Sequence, residues 1–139
     1  MLQQISIFVE NKTGRLCAIM EALATAKINI RALTIADTAE FGIVRIIVGD
    51  VEKAANALHE RDFTIKITEV IAFAIPDRFG AMYDVVKLLG EGGIDIDYSY
   101  SLLGNQKEAE IVIKVKEAAK TTAILEQAGV KLISMEDLT

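Results

Sequence analysis

The chain repeats itself, and that repeat constrains its fold more than any other feature of the 139 residues. Shifting the sequence by 66 positions lays Gly80 on Gly14, Leu89 on Leu23, Ile94 on Ile28 and Ile96 on Ile30. Further along the offset becomes 67, as if a loop had gained one residue. Val44, Ile46 and Val48 then fall on Ile111, Ile113 and Val115, and Leu58 falls on Leu125. Matches that keep their order over the whole length mark a duplication, so the chain is read as two copies of one supersecondary unit.

Each copy has the same grammar. A hydrophobic run ends at a polar turn, a glycine opens a helix, and the helix gives way to a second apolar run. The helix stripes are Leu16, Ile19, Met20 and Leu23 in the first copy and Met82, Val85, Val86 and Leu89 in the second. Both have the i, i+3, i+4, i+7 spacing of a helix packed on one side. Cys17, beside that stripe, is expected to be a buried small side chain rather than a nucleophile.

Pattern and turn residues predict strands over 3–9, 29–37, 42–49 and 63–68, with helices over 14–26 and 51–61. In the second copy they predict strands over 70–75, 94–103, 108–116 and 130–134, with helices over 79–90 and 117–128. Thr38-Ala39-Glu40 and Gly104-Asn105-Gln106 read as hairpin turns between the middle strands. Gly92, Gly93 and Gly129 end helices, where a left-handed backbone is needed.

The order βαββαβ in each copy gives an α+β chain of two ferredoxin-like units, each an antiparallel sheet with both helices on one face. No linker interrupts residues 65–71, so the expected domains are 1–69 and 70–139, packed side by side. A unit of this size buries only about 60% of its unfolded surface and is marginal alone. Close packing would also cover edge strands.

Composition removes several function classes. A net charge of −5 does not suit a protein that grips nucleic-acid phosphates. The aliphatic central strands, Val44 to Val48 and Ile111 to Val115, lack the aromatics of an RNA-binding sheet. One cysteine cannot form an internal disulfide, and no metal-ligand cluster is apparent. With one Cys and one His, His59, in different helices, no nucleophile–base pair stands out, so the chain is expected not to be an enzyme and to need no cofactor. No apolar run approaches the ~20 residues of a membrane helix, and no secretory signal is visible, so a cytoplasmic setting is expected.

The polar turns carry the resemblance to a known family. Glu10-Asn11-Lys12-Thr13-Gly14-Arg15-Leu16 followed by Ile28-Asn29-Ile30, and Asp77-Arg78-Phe79-Gly80 followed by Ile94-Asp95-Ile96, make each copy resemble an ACT domain. The resemblance covers essentially the whole chain as a tandem pair, with no attached enzyme. Thr13 and Phe79 stand where many members have proline. The resemblance implies a regulatory module that binds an amino acid between paired domains, the glycine turn of one facing the asparagine position of the other. Carried over residue by residue, Asn11, Lys12, Thr13, Gly14, Arg15 and Leu16 would face Asp95, Ile96 and Tyr98. Asp77, Phe79, Gly80, Ala81 and Met82 would face Asn29 and Ile30.

Physical chemistry points to the same turns. The first amides of a helix lack intrahelical partners, and the helix dipole makes that end welcome a carboxylate. Amide side chains such as Asn11 and Asn29 offer both donor and acceptor to a zwitterion, whereas ionised Asp77 and Asp95 only accept. The two sites would therefore differ. The plainer reading makes Asn11 and Asp77 turn residues or helix caps. Asp95 and Asp97, alternating with Ile94 and Ile96, are expected to share a face.

The expected ligand is a free amino acid or a similar small zwitterion, and the alternative function is a regulatory subunit of an amino-acid biosynthetic enzyme, like an acetolactate synthase small subunit. Aliphatics on both faces of residues 43–48 further suggest a homodimer.

Overall fold

The computed structural model describes residues 1–10, 12–37, 41–103 and 107–138. The elements are β1 (Leu2–Glu10), α1 (Arg15–Thr25), β2 (Ile30–Asp37), β3 (Phe41–Val48), α2 (Val51–Glu60) and β4 (Thr64–Pro76). They continue with α3 (Ala81–Glu91), β5 (Ile96–Ser101), β6 (Glu108–Val115), α4 (Ala118–Gln127) and β7 (Lys131–Ile133), then a 3-10 turn at Met135–Leu138. Thr38, Ala39, Glu40, Gly104, Asn105 and Gln106, where the hairpin turns are expected, lie outside the described residues. The strands expected over 63–68 and 70–75 are one strand, β4. Nothing between Thr68 and Val70 breaks an extended chain; the first breaker is Pro76.

The chain divides into two compact units, one of Gln3–Thr68 together with Leu138 and the other of Met1–Leu2 with Glu69–Asp137. Both are antiparallel sheets with two helices, the ferredoxin-like α+β arrangement.

In the first unit β3 lies between β2 and β1, and β4 is the other neighbour of β1. The β1–β3 register sets Ile5 against Ile46, Ile7 against Val44, Val9 against Gly42 and Glu10 against Phe41. Because side chains alternate along a strand, Ile5, Ile7, Val9, Val44 and Ile46 share one face, and all are buried. Helix α1 buries Ile19, Ala22 and Leu23, and α2 buries Val51, Ala54, Ala55 and Leu58. The two helices pack together, with α2 against β3.

Two helix positions differ from expectation. Leu16 is exposed, and so is Cys17. Cys17 precedes buried Ile19 by two residues, about 200° around a helix of 3.6 residues per turn, so it points away from the core.

In the second unit the order is β7-β4-β6-β5. Ile71 pairs with Ile113 and Phe73 with Ile111. Ile71, Phe73 and Ile75 join Ile113 and Val115 of β6, Val85 and Leu89 of α3, and Leu125 of α4 in one buried cluster, so both helices cover the same face. Val86, expected in the packed stripe, is exposed, and Ala81 is buried in the cluster instead.

Each copy also carries a bulge. The register steps from Ile30–Val48 to Ala32–Ile47 in β2, and from Ile96–Val115 to Tyr98–Lys114 in β5. The extra residues are Arg31 and Asp97, which occupy equivalent positions in the repeat. A β-bulge sets two residues against one and bends the strand. Exposure still alternates through the bulge of β5, with Asp95 and Asp97 exposed, Ile94 buried and Ile96 half-buried.

Candidate functional site

The two polar turns close with the same hydrogen bonds, residue for residue. In the first, the Lys12 amide donates to the Glu10 carbonyl at 2.8 Å, the Arg15 amide to the Lys12 carbonyl at 3.3 Å, and the Ala18 amide to the Gly14 carbonyl at 3.0 Å. In the second, Arg78 donates to Pro76 at 3.0 Å, Ala81 to Arg78 at 3.3 Å and Asp84 to Gly80 at 2.9 Å. Gly14 has φ +89° and Gly80 +81°. A Cβ at either would meet nothing within 4 Å. Both glycines are therefore needed for their left-handed backbone and not for space. The turn itself takes the first amide of each helix, at Arg15 and Ala81; among the described residues no side chain caps α1 or α3, so the next two amides stay open to an acceptor from outside.

Charged groups surround both turns. The Lys12 ammonium lies 2.7 Å from the Glu10 carboxylate. That hydrogen bond and charge hold the Glu10 carboxyl below its ordinary value. In the second turn Arg78 lies 3.0 Å from Asp84 and donates to the Phe79 carbonyl at 3.1 Å. These pairs are exposed, so solvent screening leaves each of them a small contribution.

The remaining predicted residues are spread out. Thr13 and Asp77 are exposed, Phe79 fully so, Ala81 is buried and Met82 half-buried. Asn11 lies outside the described residues. Asn29 and Asp95 are exposed just before β2 and β5, and Ile30 and Ile96 are half-buried. Within one copy these strand starts do not reach their own turn. Glu10 pairs with Phe41 at one end of β3, while Ile30 pairs with Val48 at the other. Seven residues of strand separate them, about 23 Å at 3.3 Å per residue. The second copy has the same spacing, from Glu108 opposite Pro76 to Val115 opposite Ile96. Asp95 lines a 330 Å³ cavity with Gly93, Ile94, Lys116 and Glu117. Tyr98 does not line it; its ring stacks on Tyr100, centroids 6.4 Å apart.

Sequence reasoning missed a cleft beside the first turn. It measures 520 Å³ and is walled by Phe8, Phe41 and Phe63, with Glu10, Lys12, Arg15 and Asp62 at its polar edge. The Arg15 guanidinium stands 4.8 Å over the Phe63 ring. A second pocket of 250 Å³ shares Lys12 and Arg15 and adds Leu16 and Ile35. At the equivalent place the second copy has a 300 Å³ pocket with Ala74, Glu108 and Val130 where the first has phenylalanines. Aligning the copies would have shown that contrast, because each of the three phenylalanines faces a non-aromatic partner in the repeat.

Among the described residues no group of three or more His, Cys, Asp or Glu side chains is placed to hold a metal ion. Among them, too, no helix is long and apolar enough to cross a membrane.

A family model described as an ACT domain pair matches residues 1–139. Protein BT0572 from Bacteroides thetaiotaomicron is 40% identical and superposes with a TM-score of 0.93, over 99% of this chain and 94% of that one. The ligand-free regulatory subunit of aspartate kinase from Thermus thermophilus shares the fold at 13% identity and a TM-score of 0.67, over 91% of each chain. The Thermus flavus regulatory subunit does so at 14% and 0.63, over 93% of this chain and 94% of that one. No curated protein matches the sequence.

Proposed function

The chain belongs to the ACT domain pair family, and from that premise we propose that it is a cytoplasmic regulatory protein, without catalysis of its own, whose glycine turns hold a free amino acid. One observation carries the reading: both copies keep a left-handed glycine and, among the described residues, leave the second and third amides of the following helix without a capping side chain. A ligand carboxylate is favoured there by the open amides and by the helix dipole. The ammonium end needs acceptors. In this reading the Asp95 and Asn29 strand starts would supply them. A few hydrogen bonds of about 1 kcal/mol net each give modest affinity, suited to following a metabolite pool.

A thermal-shift series with the twenty common amino acids tests the proposal, since a ligand that binds the folded state raises its apparent stability. At least one amino acid should raise Tm in a concentration-dependent way, and Asn29→Ala should weaken that effect. A flat response to all twenty would end the reading. A second reading, resting on the shared fold alone, makes the chain a regulatory subunit of a separate amino-acid biosynthetic enzyme. Co-purification of such an enzyme with the tagged chain separates the two readings, and sedimentation tests the homodimer that belongs to either.

A further inference from the structure

The phenylalanine-walled cleft of the first unit adjoins the first turn, with which it shares Glu10, Lys12 and Arg15, and its lining specifies a class of ligand. Phe8 and Phe41 project from neighbouring strands, β1 and β3, and are 40% and 56% exposed beside the cleft. Phe63, only 4% exposed, forms its floor. Scattered exposed apolar residues need no explanation, but two large rings turned into one concavity do. The volume of 520 Å³ lies within the range of about 300–1,000 Å³ usual for small-molecule sites.

The polar edge narrows the class further. Its charged residues are two cations, Lys12 and Arg15, and two carboxylates, Glu10 and Asp62. A lone anion would meet two carboxylates and a lone cation two basic groups, while a zwitterion finds a counter-charge for each end. Arg15 stands over Phe63 at cation–π distance and has no carboxylate within salt-bridge distance among the described residues. A cation–π contact holds a guanidinium in place without using its N–H donors on a carboxylate.

The second copy supplies an internal control. There both cations are paired, Arg78 with Asp84 at 3.0 Å and Lys131 with Glu108 at 4.0 Å, around a smaller pocket without aromatic walls, whereas in the first copy Lys12 is paired with Glu10 and, among the described residues, Arg15 is left to a ligand.

We propose that the cleft walled by Phe8, Phe41 and Phe63 binds a free aromatic α-amino acid. Its ring lies among the phenylalanines, its carboxylate faces Arg15 and Lys12, and its ammonium faces Glu10 and Asp62. This rests on the reading of the chain as an amino-acid-binding protein and adds to it both the side-chain class and a place within a single copy. Offset or edge-to-face ring contacts favour an aromatic side chain over an aliphatic one of similar size.

Calorimetry on the full chain tests it, with L-phenylalanine, L-tyrosine and L-tryptophan against L-alanine and L-serine. Two analogues lacking one charge, 3-phenylpropionate and phenethylamine, are included. The aromatic amino acids should bind at least tenfold more tightly than alanine, and each analogue at least tenfold more weakly than phenylalanine. The double variant Phe8→Ala, Phe41→Ala should lose at least tenfold in phenylalanine affinity while keeping its circular dichroism spectrum, because both side chains are already substantially exposed. Arg15→Gln should lose a similar factor. If amino acids bind without aromatic preference, or the double variant binds phenylalanine like the parent, the cleft assignment is wrong and the amino-acid reading stands. If no amino acid binds at all, both are wrong.

Discussion

The two copies share a backbone and differ in what they place on it. Both turns close through the same three hydrogen bonds around a left-handed glycine, and both second strands carry a bulge at the same repeat position. Beside those turns, the first copy has three phenylalanines and an arginine held over a ring, whereas the second has Ala74, Glu108 and Val130 and an arginine paired with Asp84. Duplication preserved what the backbone requires and left the cleft free to diverge. Hydrogen bonds and positive φ angles permit few residue types, but the wall of a cleft is limited mainly by volume and polarity.

That contrast can be broken or sharpened by substitution. The largest effect is expected at the shared glycines. Gly14→Ala and Gly80→Ala each force a Cβ into a left-handed backbone and should cost about 1–2 kcal/mol by urea denaturation. The two costs should be alike, because neither glycine has a neighbour within 4 Å of its missing Cβ. A marked inequality would mean that the turns are not equivalent.

A smaller effect of opposite sign concerns the helix ends. The first copy turns left-handed at Lys27 and Asp62, with φ of 59° and 62°, where the second uses Gly93 and Gly129. Lys27→Gly and Asp62→Gly should each stabilise by roughly 0.5 kcal/mol, the relief of strain being partly offset by a freer unfolded chain. Destabilisation by either would show that its side chain contributes more than the strain it causes.

The smallest effect is a pH dependence confined to one turn. Lys12 depresses the Glu10 carboxyl, while the equivalent position in the second copy is Pro76, which does not titrate. A group whose folded value is lowered adds stability above its unfolded value, 4.5 for Glu10, and loses it as the pH falls through the folded value. Glu10→Gln should therefore show a slightly smaller loss of urea midpoint between pH 7 and pH 3 than the parent. Identical acid profiles would remove any role for the Glu10–Lys12 pair.

Much of the fold was legible because its signals are local or periodic. Ile19 and Leu23, or Val85 and Leu89, announce a helix face by spacing alone, and Gly14 and Gly80 announce a turn by type. The bulges were not legible, since Arg31 and Asp97 are ordinary strand residues whose displacement depends on a partner strand. Nor was the continuity of β4, where a break placed at Glu69 had only the usual strand length to support it. The cleft was hidden for another reason. Phe8, Phe41 and Phe63 span more than fifty residues, and only the folded sheet brings them together.

The exposed thiol of Cys17 has a practical consequence. It is the chain's one cysteine, and it sits in the opening turn of α1, three residues past Gly14. A maleimide fluorophore would attach there and nowhere else, without engineering. The unaltered sequence thus carries a built-in labelling position whose emission would report on occupancy of the neighbouring turn in real time.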